Sequence, residues 1–177
     1  MEETAKAPFL KPALIYGAIV GFVGILLSVI LYFLNLTTER WVQWINLLVT
    51  LAVMVYCLVA YRKEYLGGFA SFGQIYLMAL AIGVISTILG AAFAYVLYTV
   101  IDPELIDKIR LMAEDQILSN PRIPESRQAD ILERMSGRFT PARMVRSALI
   151  WGTAMYAIIG LILAAFIKKS KPEQPVS

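Results

Sequence analysis

The sequence predicts an all-α, polytopic membrane protein with four transmembrane helices and an extramembrane amphipathic helical hairpin between helices three and four. Hydrophobic residues make up 59% of the 177 residues, against roughly 45–50% in a soluble globular domain. Four apolar segments each reach the roughly 20 residues that a helix needs to cross a bilayer. None carries Asp, Glu, Lys or Arg in its central span. We expect residues 1–177 to form a single membrane domain, with spans near 13–34, 41–61, 75–101 and 147–167.

The first span carries a track of small residues, Gly17, Gly21 and Gly24, at spacings of four and three. Such spacing lets a second helix approach closely. Lys6 and Lys11 precede the span, as in a signal peptide, but the apolar stretch exceeds the roughly 7–15 residues of a cleaved h-region. We therefore interpret it as a retained membrane helix. The short connector that follows predicts that the second span runs back antiparallel beside the first.

The second span combines polar residues on one face, because Gln43, Asn46 and Thr50 follow one another at spacings of three and four. With Ser86 of the third span they form a candidate polar intramembrane face. One interpretation is a stripe that lines a path or holds a ligand. The other is a seam of interhelical hydrogen bonds, each worth under about 1–2 kcal/mol. The spacing favours the seam, because part of the stripe lies near the membrane interface, where Trp41 is also expected.

The segment 67–74 is the most distinctive local string, reading Gly-Gly-Phe-Ala-Ser-Phe-Gly-Gln. Its paired glycines permit a sharp turn at positive φ, and Ser71 is expected to cap the third helix. A phosphate cradle is disfavoured because no Lys-Ser/Thr pair follows the glycines. Small residues recur along helices three and four. The candidate helix-packing glycines of the whole chain are Gly17, Gly21, Gly24, Gly83, Gly90 and Gly160.

Residues 102–142 form the sizeable extramembrane insert. Asp102 is expected to cap a new helix that ends near 118, and Ser126 begins a shorter one. Thr140 and Pro141 should supply the N-cap and the first residue of the fourth helix. The remaining residues, 168–177, are expected to be a flexible tail. Apolar residues recur at helical spacing in the insert and predict a surface for a partner or for the bundle itself, formed by Leu105, Ile109, Met112 and Leu132.

The composition disfavours several classes of function. His is absent and Cys57 is the single cysteine, so the commonest general base and the usual metal-ligand sets are missing. We expect no enzyme activity and no catalytic, cofactor-binding or metal site. Nucleic-acid binding is not expected, because the net charge of +3 comes from scattered residues rather than from a basic stripe.

Four crossings place both termini on one side of the membrane. Basic residues at the ends of helices two and four, including Arg62, Lys63 and Lys168, favour the cytoplasm for that side. Arg143 and Arg146, just before the fourth span, argue against it. We interpret the chain as a multi-pass protein of a bacterial inner membrane with both termini in the cytoplasm.

The Gly-rich first helix, the 67–74 string, the Ile101-Asp102-Pro103 exit and the Lys-rich end together resemble a known family. The chain is similar to domain-of-unknown-function family 4199 (DUF4199), small membrane proteins found mainly in the Bacteroidetes, over roughly residues 10–170. The resemblance implies an inner-membrane address and supplies no catalytic residues.

Two functions of different classes follow as hypotheses. The first is a non-enzymatic membrane protein that acts through a membrane-protein partner or through self-association, with the lipid bilayer as its solvent. The alternative is a small transporter or channel subunit for a small solute, which needs an oligomer because four helices are few for a solute path. An enzyme acting on lipid is disfavoured by the lack of acid–base groups.

Overall fold

A computed structural model describes residues 9–34, 36 and 40–169. Within these residues the chain is helical and forms no β-strand, which confirms the predicted all-helical fold. Four helices are long and apolar enough to cross a membrane, as predicted, so the chain is a multi-pass membrane protein. The helices are α1 (Leu10–Phe33), α2 (Arg40–Tyr65), α3 (Phe72–Val96), α4 (Leu105–Leu118), α5 (Glu125–Ser136) and α6 (Pro141–Ile167).

The fourth spanning helix, α6, begins at Pro141, so its first two turns precede the apolar stretch that was expected from residue 147. Thr140 occupies the N-cap position as predicted, but its side chain accepts no cap hydrogen bond. Pro141 at the first helical position sets the helical φ and has no N–H that needs a partner there. The basic residues Arg143 and Arg146 therefore lie on the spanning helix itself.

The third spanning helix ends in a π-helical segment, Leu97–Ile101, in which the Asp102 amide donates to the Leu97 carbonyl at 2.8 Å. Asp102 then joins three elements. One carboxylate oxygen accepts from the Leu105 amide at 3.1 Å, and the other accepts from Tyr32 Oη of α1 at 3.0 Å. Helix α4 begins at Leu105 with Glu104 at its N-cap position, two residues after the predicted cap at Asp102. The third spanning helix therefore ends in a wider π turn at Asp102, whose carboxylate contacts α1 and α4.

Helix α3 is the centre of the bundle, since it packs against α1, α2 and α6, and its contacts with α1 and α6 are the most extensive. The long helices alternate in direction, so the start of α1, the end of α2, the start of α3 and the end of α6 lie at one end. The hydrophobic core fills this end. We call it the closed half, defined by Met54, Cys57, Leu58, Ile75, Met78 and Ile82, each fully buried.

Polar contacts also hold the closed half together. Tyr16 of α1 donates to a carboxylate oxygen of Glu64 at 2.9 Å, and Arg62 Nη1 donates to the Ile167 carbonyl at 2.7 Å. The Arg62 cation also faces the negative end of the α6 dipole. Ala70 and Lys169 exchange two backbone hydrogen bonds of 2.9 Å, which ties the α2–α3 turn to the residues after α6.

The string 67–74 is a structural turn. Gly67 and Gly68 have φ of 62° and 87°, a region that only glycine adopts without strain. Ser71 caps α3 as predicted, and Gln74 completes a reciprocal capping box with bonds of 3.3 and 2.9 Å. The turn residues thereby set the direction of the central helix.

The insert between α3 and α6 contains α4 and α5, which contact one another. Leu105 is buried, and Ile109, Met112 and Leu132 are half-buried. The apolar stripe predicted as a partner or bundle surface is therefore partly covered by the chain itself.

Candidate functional site

The half of the bundle nearer the insert contains a partly open cavity of about 300 Å³. All four spanning helices contribute to its wall. Its size is at the lower end of the roughly 300–1,000 Å³ that ligand sites occupy. We call this region the cavity half, defined by the lining residues Gly24, Ser28, Asn46, Thr50, Ser86, Thr87, Gly90, Tyr98, Gly152 and Tyr156.

Helix α2 contributes the predicted polar face. Asn46 and Thr50 both line the cavity and are half-buried, and Thr50 Oγ1 lies 3.5 Å from Asn46 Oδ1. At that length the hydrogen bond is weak. The Asn46 amide therefore keeps most of its hydrogen-bonding capacity for another partner. Gln43 lies on the same helix, but its side chain is outside the part of the chain that the structure describes.

Helix α3 contributes Ser86 and Thr87, whose hydroxyls differ in their partners. Ser86 Oγ lies 2.8 Å from the Ile82 carbonyl and 2.9 Å from the Gly17 carbonyl of α1, so it joins two helices. Ser86 is therefore satisfied by the protein and acts as an interhelical bond of the kind the sequence favours.

Thr87 is the exception in the cavity wall. Its side chain is 9% exposed, and Oγ1 has no hydrogen-bond partner among the described residues. A buried hydroxyl without a partner costs about 1–3 kcal/mol, and inside a bilayer no bulk water is present to satisfy it. Thr87 lines the cavity, but its Oγ1 atom exposes less than 1 Å², so a rotation of the side chain is needed before a molecule in the cavity can bond to this hydroxyl.

The candidate packing glycines differ in the space beside them. Added Cβ atoms at Gly17 and Gly21 would lie 2.7 Å from Ile85 Cβ and 2.9 Å from Leu89 Cδ1. An added Cβ at Gly83 would collide with Tyr156, and one at Gly160 would lie 3.1 Å from Ala79 Cβ. These four glycines stand where helices approach closely.

Gly24 and Gly90 are placed differently, although they lie on the same small-residue tracks. An added Cβ at either position meets no atom within 4 Å, and both residues line the cavity. Because glycine has no side chain, these two positions leave open space in the bundle. At Gly17, Gly21, Gly83 and Gly160, by contrast, the missing side chain lets two helices approach closely.

A smaller cavity of about 230 Å³ adjoins the first between α2 and α6. The two cavities share Asn46, Thr50, Gly152 and Tyr156. On the side of the bundle surface, the smaller cavity is lined by apolar residues such as Met155, which is 46% exposed. The α2–α6 contact is much less extensive than the α3–α6 contact. The polar wall thus reaches the lipid-facing surface between these helices.

The sequence pattern identified Asn46, Thr50 and Ser86 as candidate polar residues. It did not identify three further lining residues, Ser28, Thr87 and Tyr98. The available signal was a second hydroxyl directly after Ser86 in an apolar helix. Which of two adjacent helical residues lacks a partner depends on the neighbouring helix. Here Gly152 of α6 faces the Thr87 side chain and brings no side-chain acceptor.

The arrangement supports binding by hydrogen bonds and apolar contact. No Asp, Glu, Lys or Arg is found among the described residues that line the cavity. Its polar side chains carry amide, hydroxyl or phenol groups, each of which can donate and accept: Ser28, Asn46, Thr50, Ser86, Thr87, Tyr98 and Tyr156. Among the described residues no cluster of three or more Cys, Asp or Glu side chains is placed to hold a metal ion.

Comparison with known proteins gives one match. The model of the family described as a protein of unknown function, DUF4199, matches residues 15–169, which is most of the chain. No curated protein and no solved structure matches.

Proposed function

The chain belongs to the DUF4199 family, whose function is unknown, and we propose that it is a non-enzymatic inner-membrane protein that binds a small, neutral, hydrogen-bonding molecule in its cavity half. In this proposal it works as a transporter or channel subunit within an oligomer. The observation that carries the proposal is the unpartnered, buried hydroxyl of Thr87 beside a cavity of about 300 Å³. A bound molecule with a donor or an acceptor satisfies that hydroxyl.

The composition of the wall supports a neutral ligand. The described lining residues include no side chain with a formal charge at neutral pH. A charged ligand at this depth would be desolvated without an opposite charge nearby, and such burial is costly. Asn46 and Thr50 of α2 line the same cavity as Thr87 of α3, so a ligand there is offered several hydrogen bonds.

Self-association is part of the proposal, because four helices are few for a solute path. The glycines Gly17, Gly21, Gly83 and Gly160 are already occupied by contacts within the chain. The oligomer contact is therefore expected on other faces of the helices. The Lys and Arg residues at the ends of α2 and α6 support placing both termini in the cytoplasm.

The test is solute flux into proteoliposomes, followed by stopped-flow light scattering with glycerol and urea as neutral probes. We expect Thr87→Val and Asn46→Leu each to change the flux, because both remove hydrogen-bonding groups from the wall and Thr→Val conserves side-chain shape. Thr153→Val on α6 is the matched control, since Thr153 is half-buried and does not line either membrane cavity. Unchanged flux in both wall variants would reject the proposal.

Action through a protein partner is the second candidate, and exposed apolar residues of the insert favour it. Leu111 and Leu118 of α4 are 63% and 55% exposed although they lie outside the spanning helices. The experiment is purification of tagged protein from native membranes into lipid nanodiscs, followed by mass spectrometry. A stoichiometric partner that the Leu111→Ser, Leu118→Ser double variant loses would support this candidate. Retention of that partner by the double variant would reject the α4 surface as its binding site.

A further inference from the structure

A groove of about 760 Å³ lies between the insert and the first turns of α6, outside the cavity half. We call it the arginine groove, defined by Arg138, Arg143, Arg146, Met144, Ile150 and Trp151. The membrane cavities described above are lined by another face of α6, with Gly152 and Tyr156. The groove and those cavities are therefore separate features of the molecule.

The arginine groove concentrates positive charge that the protein does not neutralise. None of the described lining residues is acidic. Arg143 Nη1 donates to the Gly137 carbonyl, which holds this guanidinium at the groove. Arg138 and Arg146 form no ion pair with any residue that the structure describes. Three guanidinium groups around one concavity are a site for an anion, since each offers a planar fork of donors.

Two other cations of the insert, Arg110 and Lys108, form ion pairs with acidic side chains. Arg110 Nε donates to Glu114 Oε1 at 2.8 Å, and this hydrogen bond raises the pKa of the Arg110 guanidinium. Lys108 Nζ lies 3.6 Å from Asp102 Oδ2. Glu114 of α4 and Asp102, which precedes α4, therefore pair with these two cations, and no acidic side chain lines the groove among the described residues.

The groove also changes from charged to apolar along α6. Arg143, Arg146 and Ile150 follow at spacings of three and four, so they lie on one helix face, and Trp151 adjoins it. At 1.5 Å per residue, Arg143 and Trp151 are about 12 Å apart along the axis. Ile150 and Trp151 are 59% and 69% exposed on a spanning helix, where lipid is the expected neighbour.

We propose that the arginine groove binds an anionic phospholipid of the surrounding bilayer. The phosphate contacts the guanidinium groups of Arg138, Arg143 and Arg146, and the start of an acyl chain lies along Ile150 and Trp151. A soluble phosphate compound would use the arginines alone. The continuous passage from cations to exposed apolar residues matches the order of groups in a phospholipid, with Trp at the interface level.

The test compares two lipids with identical acyl chains, phosphatidylglycerol and phosphatidylcholine, on the full-length protein in detergent by native mass spectrometry. We expect the wild-type protein to retain phosphatidylglycerol preferentially. Loss of two arginines in Arg143→Gln, Arg146→Gln should weaken this binding roughly 30-fold, at about 1 kcal/mol for each cation near an anionic surface. Arg143→Lys, Arg146→Lys keeps the charge and should retain most of the preference.

The matched control is Arg122→Gln, Arg127→Gln, which removes two exposed arginines of the insert that do not line the groove. We expect its lipid preference to equal that of the wild type. Equal losses in the groove and control variants would overturn the assignment to this site, because they would reflect net charge alone.

A competition experiment uses only the wild-type protein, so its result does not depend on whether the variants fold. Glycerol 3-phosphate, the soluble headgroup, is added at millimolar concentration to protein loaded with phosphatidylglycerol. We expect the lipid to stay bound, because the headgroup lacks the acyl contacts with Ile150 and Trp151. Complete displacement, or equal retention of the two lipids, would contradict the proposal.

Discussion

The two halves of the membrane bundle use the same four helices and similar apolar composition, yet they are packed differently. In the closed half, Met54, Leu58 and Met78 are fully buried, and Arg62 and Glu64 add hydrogen bonds between helices. In the cavity half the same helices leave about 300 Å³ between them, with Thr87 unpartnered in the wall. Close packing and open volume are therefore separated along the helix axes.

Small residues show the cause of this difference most directly. Gly83 and Gly90 are one heptad apart on α3, so they lie on nearly the same face. Tyr156 of α6 fills the space at Gly83, and no atom lies within 4 Å of an added Cβ at Gly90. A glycine brings helices together only where a neighbour supplies the volume that the glycine lacks.

The largest expected effect comes from truncating the closed core. Ile82→Ala should lower the free energy of unfolding by about 2–5 kcal/mol, because Ile82 is fully buried and its removal leaves a new cavity. Ile25→Ala is the matched change in the cavity half, where Ile25 is half-buried and already faces empty space. Its effect should be less than half as large. Thermal unfolding in detergent measures both, and equal losses would contradict the comparison.

A smaller effect is expected from filling glycine positions. Gly83→Ala should destabilise the protein by about 1–3 kcal/mol, because the new methyl group displaces the Tyr156 side chain. Gly90→Ala should be neutral or stabilising by up to about 1 kcal/mol, since alanine favours the helix and the space is open. The same unfolding measurement separates them. A larger loss at Gly90 than at Gly83 would contradict the open space beside Gly90.

The smallest effect concerns single hydroxyl groups. Tyr16→Phe removes the hydrogen bond to Glu64 and should cost about 0.5–1.5 kcal/mol. Tyr98→Phe should leave stability nearly unchanged, because Tyr98 lines the cavity and donates to no described residue. Chemical unfolding of the two variants beside the wild type measures the difference. A greater loss for Tyr98→Phe would place an undetected partner at its hydroxyl.

Most of the fold could be predicted from the sequence, because it follows from local physics. Hydropathy gave the four spans, and short-range chemistry gave the Ser71 cap and the turn at Gly67 and Gly68. The π-helical segment Leu97–Ile101 could not be predicted, since it depends on Asp102 reaching Tyr32 of α1. That contact joins residues far apart in the chain.

The candidate site could be predicted only in part, for the same reason. Periodicity places Asn46 and Thr50 on one face of α2, but it does not reveal which helices stand opposite. Ser86 and Thr87 are adjacent and chemically alike, but only Ser86 has hydrogen-bond partners, in the carbonyls of Ile82 and Gly17. The cavity is a property of how four helices meet, so no single segment encodes it.

The central claim, that polar molecules reach the cavity half and not the closed half, can be measured by cysteine labelling. Cys57 is fully buried in the closed half and is the single native cysteine. Gly90→Cys adds a thiol that fits the open space of the cavity. A small polar methanethiosulfonate reagent is applied to the wild type and to this variant in membranes. The account predicts that Cys57 stays unlabelled while the added thiol reacts. An unreactive thiol at position 90, or labelling of Cys57 at the same rate, would contradict it.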